Sequence, residues 1–461
     1  MSEEEKLPRK YRYSTKRFLR RGATAGVIRI TGLLSIFALQ VCIARVLGDP
    51  AEYGVYAWGQ SLLFMVGIMA CVGIPMVASR FVASLAAQHN QAAIGEIIRK
   101  SLSLLVRTAA LPVLIAIPVW LFWDQLVDND IYRSVATTAL LCAPVVTFSF
   151  FLRDISRARQ WLVLALLPLQ VLRPCLTGLF VLGGWWLFTD PVTGQDILLM
   201  VSLSLTLTML GHAAIYSRWH RAGATRETEP LGTIDKTISD EYHSSKIFGT
   251  AIPVFIGAIS GQVMRYSNVL LVGFLAGPAA AGAYFAAERL ASLAAIPKTV
   301  VSMVNSQSIA AAHAAGKERQ LQLLATQSAH GSLWITLGLS VFLVVFAGPL
   351  IEMFGRGFSE GSLVLIILVA SGIIGVSAGP VSDILIMTGH QNRVPGVMVA
   401  AAITHITALA LLVPSYGAVG AATASVISTL FSQIWLVYLA GHYTGISTTI
   451  LGSFRSNSRH D

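Results

Sequence analysis

The chain has 461 residues, 54% of them hydrophobic and 12% charged, with a formal net charge of +10. Soluble globular domains carry about 25% charged residues, so this composition excludes a soluble multidomain enzyme and points to an all-α, polytopic membrane protein. The positive balance does not imply a nucleic-acid partner, because the basic residues cluster in short segments between apolar runs, where orientation in the membrane accounts for them.

In chain order, residues 1–21 read as a basic cytoplasmic flank, with eight Lys and Arg between Lys6 and Arg21. The flank suits an anionic lipid surface and lacks the apolar core and cleavage site of a signal peptide. A transmembrane helix needs about 20 mostly apolar residues. Twelve such runs come next, at 22–47, 54–84, 101–123, 131–152, 161–187, 195–217, 247–275, 282–308, 328–350, 361–387, 394–413 and 418–440. The second is long enough to continue into a cytoplasmic helix. The first six make an N-lobe (22–217) and the last six a C-lobe (247–440). Between them lies a polar cytoplasmic connector (218–246), and 441–461 is a cytoplasmic tail. With both termini inside, cytoplasmic segments hold about 23 Lys and Arg, against Arg45, Arg133 and Arg356 outside, a strong orientation signal for a cytoplasmic (inner) membrane protein. Trp120, Trp123, Trp185 and Trp186 fall at outer ends, as interfacial tryptophans do. Cys42, Cys71, Cys142 and Cys175 sit in apolar runs without a CxxC pair and read as buried hydrophobes.

A short segment occurs twice. Residues 47–56 (Leu-Gly-Asp-Pro-Ala-Glu-Tyr-Gly-Val-Tyr) and 275–284 (Leu-Ala-Gly-Pro-Ala-Ala-Ala-Gly-Ala-Tyr) are identical at five of ten positions. Six spans separate the copies, so both lobes share one orientation and the repeat is parallel, with its pseudo-two-fold axis along the membrane normal.

Ionisable residues within apolar spans are costly and mark function by default. This chain has Arg29, Arg173, Arg265, Glu288, Arg289, Lys298 and Asp383. Cations dominate, and a cationic lumen suits an anionic cargo because guanidinium binds phosphate bidentately. Arg265 and Glu288 share a similar depth, so Glu288 is expected to pair with Arg265 and leave Arg289 for cargo. Arg29 lies near the cytoplasmic end of its span, within snorkelling reach of the surface. Arg173 precedes Pro174, where a kink frees a carbonyl, so it either lines a cavity or satisfies that backbone. Lys298 comes directly after Pro297, on a flexible stem. Glu288 and Asp383 are candidates for ion coupling or structural ion pairs. His212 and His405 read as packed, hydrogen-bonded imidazoles rather than proton carriers.

No P-loop, HExxH or clustered metal ligands occur, and neither metal nor cofactor is expected. Gly375-Val-Ser-Ala-Gly379 matches GxSxG but lies within an apolar span, where a strand-to-helix elbow does not form. The chain reads as a non-enzyme.

Arg45-Val-Leu-Gly-Asp-Pro-Ala-Glu-Tyr-Gly-Val-Tyr56, Gly282-Ala-Tyr-Phe-Ala-Ala-Glu-Arg-Leu290 and Ser415-Tyr-Gly-Ala-Val-Gly-Ala-Ala-Thr-Ala-Ser425 resemble, in order and spacing, the polysaccharide transporter family of lipid-linked oligosaccharide flippases. The resemblance covers nearly the whole chain. It implies two six-helix lobes of the multidrug-and-toxin-extrusion-like fold, working by alternating access. The implied cargo is an O-antigen or exopolysaccharide oligosaccharide on undecaprenyl pyrophosphate, whose pyrophosphate meets lumenal arginines. Related chains often carry Asp near the outer half of the seventh span, where this one has Asn268, so coupling to a proton or sodium ion stays open. A polysaccharide polymerase and glycosyltransferases are implied partners, together with the bilayer. Three alternatives remain: a cation-coupled multidrug exporter of the same fold, which tends to need lumenal carboxylates; a membrane-embedded polymerase or ligase, which needs a large outside loop; and a non-catalytic partner of a glycosyltransferase complex, docking through the cytoplasmic connector.

Overall fold

The computed structural model describes residues 15–88, 90–126, 130–187, 189–224, 244–316 and 318–445. Residues 1–14 of the expected flank, 225–243 of the connector and 446–461 of the tail lie outside them. The described residues are almost entirely helical and include no strand. In order the helices are α1 (Thr15–Leu47), α2 (Pro50–Met69), α3 (Ile74–Ala87), α4 (Gln91–Leu121), α5 (Arg133–Ala158), α6 (Leu162–Leu187), α7 (Gly194–Ala224), α8 (Ser244–Ala276), α9 (Pro278–Ala291), α10 (Ile296–Ala314), α11 (Glu318–Val345), α12 (Gly361–Ser377), α13 (Val381–Met387) and α14 (Val394–Thr444).

Among the described residues eight helical segments are long and apolar enough to cross a membrane, or nine when the bent α2–α3 pair is taken as one span. The 51-residue α14 is two passes. Gly417 breaks it with φ 52° and ψ −130°, and a Cβ on Gly420 would lie 2.7 Å from the carbonyl carbon of Leu412. His405 Nδ1 also meets Ser428 Oγ at 2.9 Å. Both pairs straddle Gly417, so the chain reverses there. The seventh and eighth apolar runs fall on α8 and α9–α10. Gln262, Arg265 and Asn268 on the first, and Glu288, Arg289 and Lys298 on the second, lower their hydropathy. The second span is not one long helix: α2 and α3 meet at 53°, where Val72 and Gly73 take positive φ ahead of Pro75.

Both copies of the repeated segment are helix starts. Pro50 and Pro278 occupy the first turns of α2 and α9, where a missing N–H costs nothing, and Asp49 caps α2 by accepting from Ala51 N at 2.9 Å. The two copies touch. A Cβ on Gly54 would collide with the carbonyl of Pro278 (2.6 Å to its carbon) and lie 2.9 Å from Gly282 N. A Cβ on Gly282 would collide with the carbonyl of Pro50 and lie 3.1 Å from Gly54 N. This reciprocity is what a two-fold relation between the lobes produces, and it puts both turns at one end of the bundle.

At that turn end a single core serves both lobes, joining Ile43, Tyr53 and Tyr56 to Tyr284, Phe285, Phe354 and Phe358. Toward the opposite end, each buried cluster among the described residues belongs to one lobe. Ile74, Val82, Ile94, Phe151 and Leu164 belong to one lobe alone, and Ile309, Leu321 and Ile384, with Val381, Leu385, Val397 and Leu436, to the other. Hydrogen bonds between lobes also gather at the turn end. Arg45 donates to the carbonyls of Met353 (2.6 Å) and Glu352 (2.8 Å), Tyr132 to that of Gly273 (3.0 Å), and Trp58 to that of Leu270 (3.1 Å). Of the four expected interfacial tryptophans, Trp120, Trp185 and Trp186 are exposed. Trp123 is buried, in the core that holds Trp58 and Tyr132. Cys71 is the buried cysteine, while Cys175 is exposed, so the expected burial fails there.

Candidate functional site

Arg173 owes its position to a local irregularity in α6. Pro168 and Pro174 each lack an amide donor, and between them residues 168–172 form a π turn in which Arg173 N bonds to the Pro168 carbonyl. An extra residue per turn rotates the C-terminal part of the helix about its axis, and such turns favour functional positions. α1 lies close against it: a Cβ on Gly32 would be 2.8 Å from Gln170 Cβ. The Arg173 guanidinium lies 5.2 Å from the centre of the Phe64 ring, while its Nε is buried without a hydrogen-bond partner.

Arg289 comes from the other lobe. Its guanidinium lies 4.1 Å from the centre of Phe285, one turn earlier on α9, and its Nε is likewise buried and unpartnered. Arg173 and Arg289 are within electrostatic reach of each other, and both reach Tyr56 and Tyr266. Phe64 and Tyr266 stack across the lobe boundary with centroids 6.4 Å apart and rings 13° from parallel. On the turn-end side, Tyr53 donates to Gln40 Oε1 at 3.0 Å and Gln40 Nε2 donates to Tyr56 at 3.2 Å, with Tyr53 packed on Phe285 at 5.8 Å. The result is two guanidinia from opposite lobes, walled by aromatic rings and seated on a satisfied polar floor.

The other candidate residues are spread more widely. Arg265 and Arg289 each lie eleven residues from the turn-end tips of α8 and α9, about 16 Å at ~1.5 Å per residue, so their shared depth holds. The expected Glu288–Arg265 pair does not form. Glu288 lies 3.6 Å from Arg289, because that guanidinium folds back over its own helix. Arg265 is exposed, with Tyr266 in electrostatic reach. Arg29 is half-buried beside Arg157, nearer the end opposite the turns. Lys298 donates to the Gly375 carbonyl at 2.6 Å inside the C-lobe, and Asp383 accepts from Ser302; neither joins the Arg173–Arg289 group. His212 and His405 bond to Ser156 and Ser428, each at 2.9 Å. Asn268 sits among neutral groups, with Ser425 donating to its Oδ1 at 3.4 Å. No cluster of three metal-ligating side chains occurs among the described residues.

Sequence reasoning missed Gln40, Tyr53, Tyr56, Phe64, Tyr266 and Phe285. Phe285 had a readable signal, since it precedes Arg289 by four residues and so shares its helix face. Phe64 and Tyr266 meet only through the fold.

Two repeated lobes, sharing a core at one end around a charged centre, define a multi-pass helical membrane protein. Residues 23–309 match the family described as polysaccharide biosynthesis protein, and the chain belongs to that family. Solved structures agree in fold. An inward-facing multidrug resistance transporter of the multidrug and toxin extrusion family is 14% identical, with 91% of this chain and 98% of that chain aligned at a TM-score of 0.72. The lipid II flippase MurJ in an inward closed conformation is 14% identical, with 90% and 87% aligned at 0.63. A transporter of the same superfamily from Pyrococcus furiosus, described as having a binding pocket of reverse polarity, is 15% identical, with 92% and 95% aligned at 0.60. None of the curated proteins matches the chain.

Proposed function

We propose that this transporter is a flippase moving an oligosaccharide on undecaprenyl pyrophosphate across the cytoplasmic membrane by alternating access, for polysaccharide or O-antigen assembly. The observation that carries this reading is the pairing of Arg173 and Arg289 from opposite lobes, each with a buried Nε that has no protein partner. An unsatisfied buried donor costs about 1–3 kcal/mol. Two within electrostatic reach of each other, with like charges, suit a group bearing several anionic oxygens. A pyrophosphate lets each lobe hold one phosphate, and the aromatic walls accept the sugar and lipid portions. One protein of the same fold is described as a lipid II flippase, so a lipid-linked sugar is a cargo this architecture accommodates. An exporter of cationic drugs is disfavoured, because the centre sets two guanidinia, Arg173 and Arg289, against the one carboxylate of Glu288.

Binding to the purified protein in nanodiscs tests the reading. Undecaprenyl pyrophosphate is expected to bind more tightly than the monophosphate. Arg173→Gln is expected to weaken binding about 10- to 100-fold, the equivalent of one charge-assisted hydrogen bond at ~1.5–3 kcal/mol. Equal affinity for the two lipids, or unchanged binding by Arg173→Gln, overturns it.

We also assign the turn end to the outside and both termini to the cytoplasm, on the charge bias of the loops. In a background lacking the four native cysteines, Asp190→Cys is expected to react with an impermeant maleimide in intact cells, and Gln88→Cys only after lysis. Both positions are exposed, at opposite ends of the bundle. The reverse pattern inverts the topology.

A further inference from the structure

The tenth span is broken, and one neighbouring helix holds both halves. α12 ends at Ser377, Gly379 has φ +74°, and α13 begins after Pro380. In a continuous helix Gly379 N would donate to the Gly375 carbonyl; here it donates to Val376 at 2.9 Å. Gly375 therefore loses its helical donor, and Lys298 Nζ takes that place at 2.6 Å, with its positive charge at the C-terminal end of α12, where a helix favours a cation. One turn along α10, Ser302 donates to Asp383 in the first turn of α13, where a helix favours an anion. Positions 298 and 302 lie on one face of α10. Lys298 and Asp383 are within electrostatic reach, and Ile384 packs on Ile309 and Ala312 below.

The other charged groups near this joint are turned elsewhere. His390 and Arg393 lie against Tyr443, at 5.1 and 5.3 Å from its ring centre, and His330 bonds to the Thr326 carbonyl of its own helix. α14 contributes apolar Val397, Leu436 and Ala440 against Val381 and Leu385.

The helix that grips the joint also leads to the cargo arginine. α9, which carries Arg289, passes through one 3-10 turn (Ser292–Ala295) into α10. We propose that Lys298 is a positioning residue: with Ser302 it fastens both halves of the broken tenth span to the bent helix bearing Arg289, so that engagement of an anion at Arg289 moves α13 at the far end of the C-lobe. Lys298 does not touch cargo. The coupling to an anion rests on the function proposed above; the clamp does not.

The clamp is tested without ligand. Hydrogen exchange of the Val381–Thr388 amides is expected to accelerate at least tenfold in Lys298→Met, with Lys298→Arg close to wild type. Unchanged exchange in Lys298→Met overturns the clamp. If Lys298→Met fails to insert, Ser302→Ala, which removes one hydrogen bond, serves in the same comparison. The coupling is tested with undecaprenyl pyrophosphate and spin labels at Gln88→Cys and Met387→Cys. Wild type is expected to change its 88–387 distance on adding lipid, while Lys298→Met binds within threefold of wild type and keeps its ligand-free distance. A wild-type distance response in Lys298→Met, or its loss of binding, overturns the positioning role. Absence of binding by wild type overturns the cargo assignment and leaves the exchange result to decide the clamp.

Discussion

Gly54→Ala abolishes polysaccharide export, and Gly261→Ala leaves it intact; this is the expected result of a complementation assay with membrane protein levels measured alongside. Both substitutions lie within helices, where alanine is intrinsically favoured over glycine by about 1 kcal/mol, so propensity alone predicts a gain at each. They differ in what the new methyl meets. At Gly261 nothing lies within 4 Å. At Gly54 the methyl would occupy the space of the Pro278 carbonyl, with its carbon at 2.6 Å and Gly282 N at 2.9 Å. These are backbone atoms, which have no rotamer to yield. Overpacking a core typically costs about 1–3 kcal/mol when side chains can adjust, and here whole helices α2 and α9 must separate. Gly282→Ala is expected to behave alike, since its methyl meets the Pro50 carbonyl. The two together should cost less than the sum, because one displacement relieves both clashes. Export at wild-type level by a stably inserted Gly54→Ala protein would show that close contact of the two lobes is dispensable.

Arg289→Ala is expected to reduce export by more than tenfold with the protein still folded and inserted, and Arg289→Lys to retain part of it. The lysine keeps the charge but loses the planar fork that holds two phosphate oxygens at once. Stability should suffer little. The Glu288 contact at 3.6 Å is long for an ion pair, and the stack on Phe285 contributes about 0.5–2 kcal/mol. Glu288→Gln is expected to preserve export, since its carboxylate only neutralises part of the neighbouring guanidinium. The measurement is export and membrane level for each variant. Normal export by Arg289→Ala would remove the cationic centre from the mechanism while leaving the family assignment untouched.

Span positions were legible because bilayer thickness imposes a length that composition reveals. The repeat was legible too, but not that its copies touch: identity of Gly54 and Gly282 shows that each position needs a small residue, not what presses on it. The charged centre was half readable. Sequence gives depth along a helix, and on depth alone Arg265 was as good a partner for Glu288 as any. It does not give rotation about the helix axis, which decides that Arg289 folds back onto Glu288 and Phe285 and that Arg265 turns away. The place of Lys298 at a helix end was hidden for a related reason. An ammonium in a span suggests cargo, but the Gly375 carbonyl it satisfies is orphaned only because the tenth span breaks at Gly379, a break the apolar run conceals.

The aromatic core shared by the lobes at one end also bears on the proposed transport cycle. Separating Tyr53 from Phe285, Phe354 and Phe358 exposes large rings, and each aromatic side chain buries about 150–250 Å². In the proposed cycle the empty protein would then favour the state with this end closed; a bias of about 2.7 kcal/mol holds a two-state equilibrium at 99 to 1, half of the ~5.5 kcal/mol that a full reversal on loading takes. Once cargo has left on the far side, closing would be downhill, so the return of the empty protein need not limit the cycle. Net direction still comes from the cargo's own gradient or from a coupled one, and the resting preference sets only how fast the cycle turns.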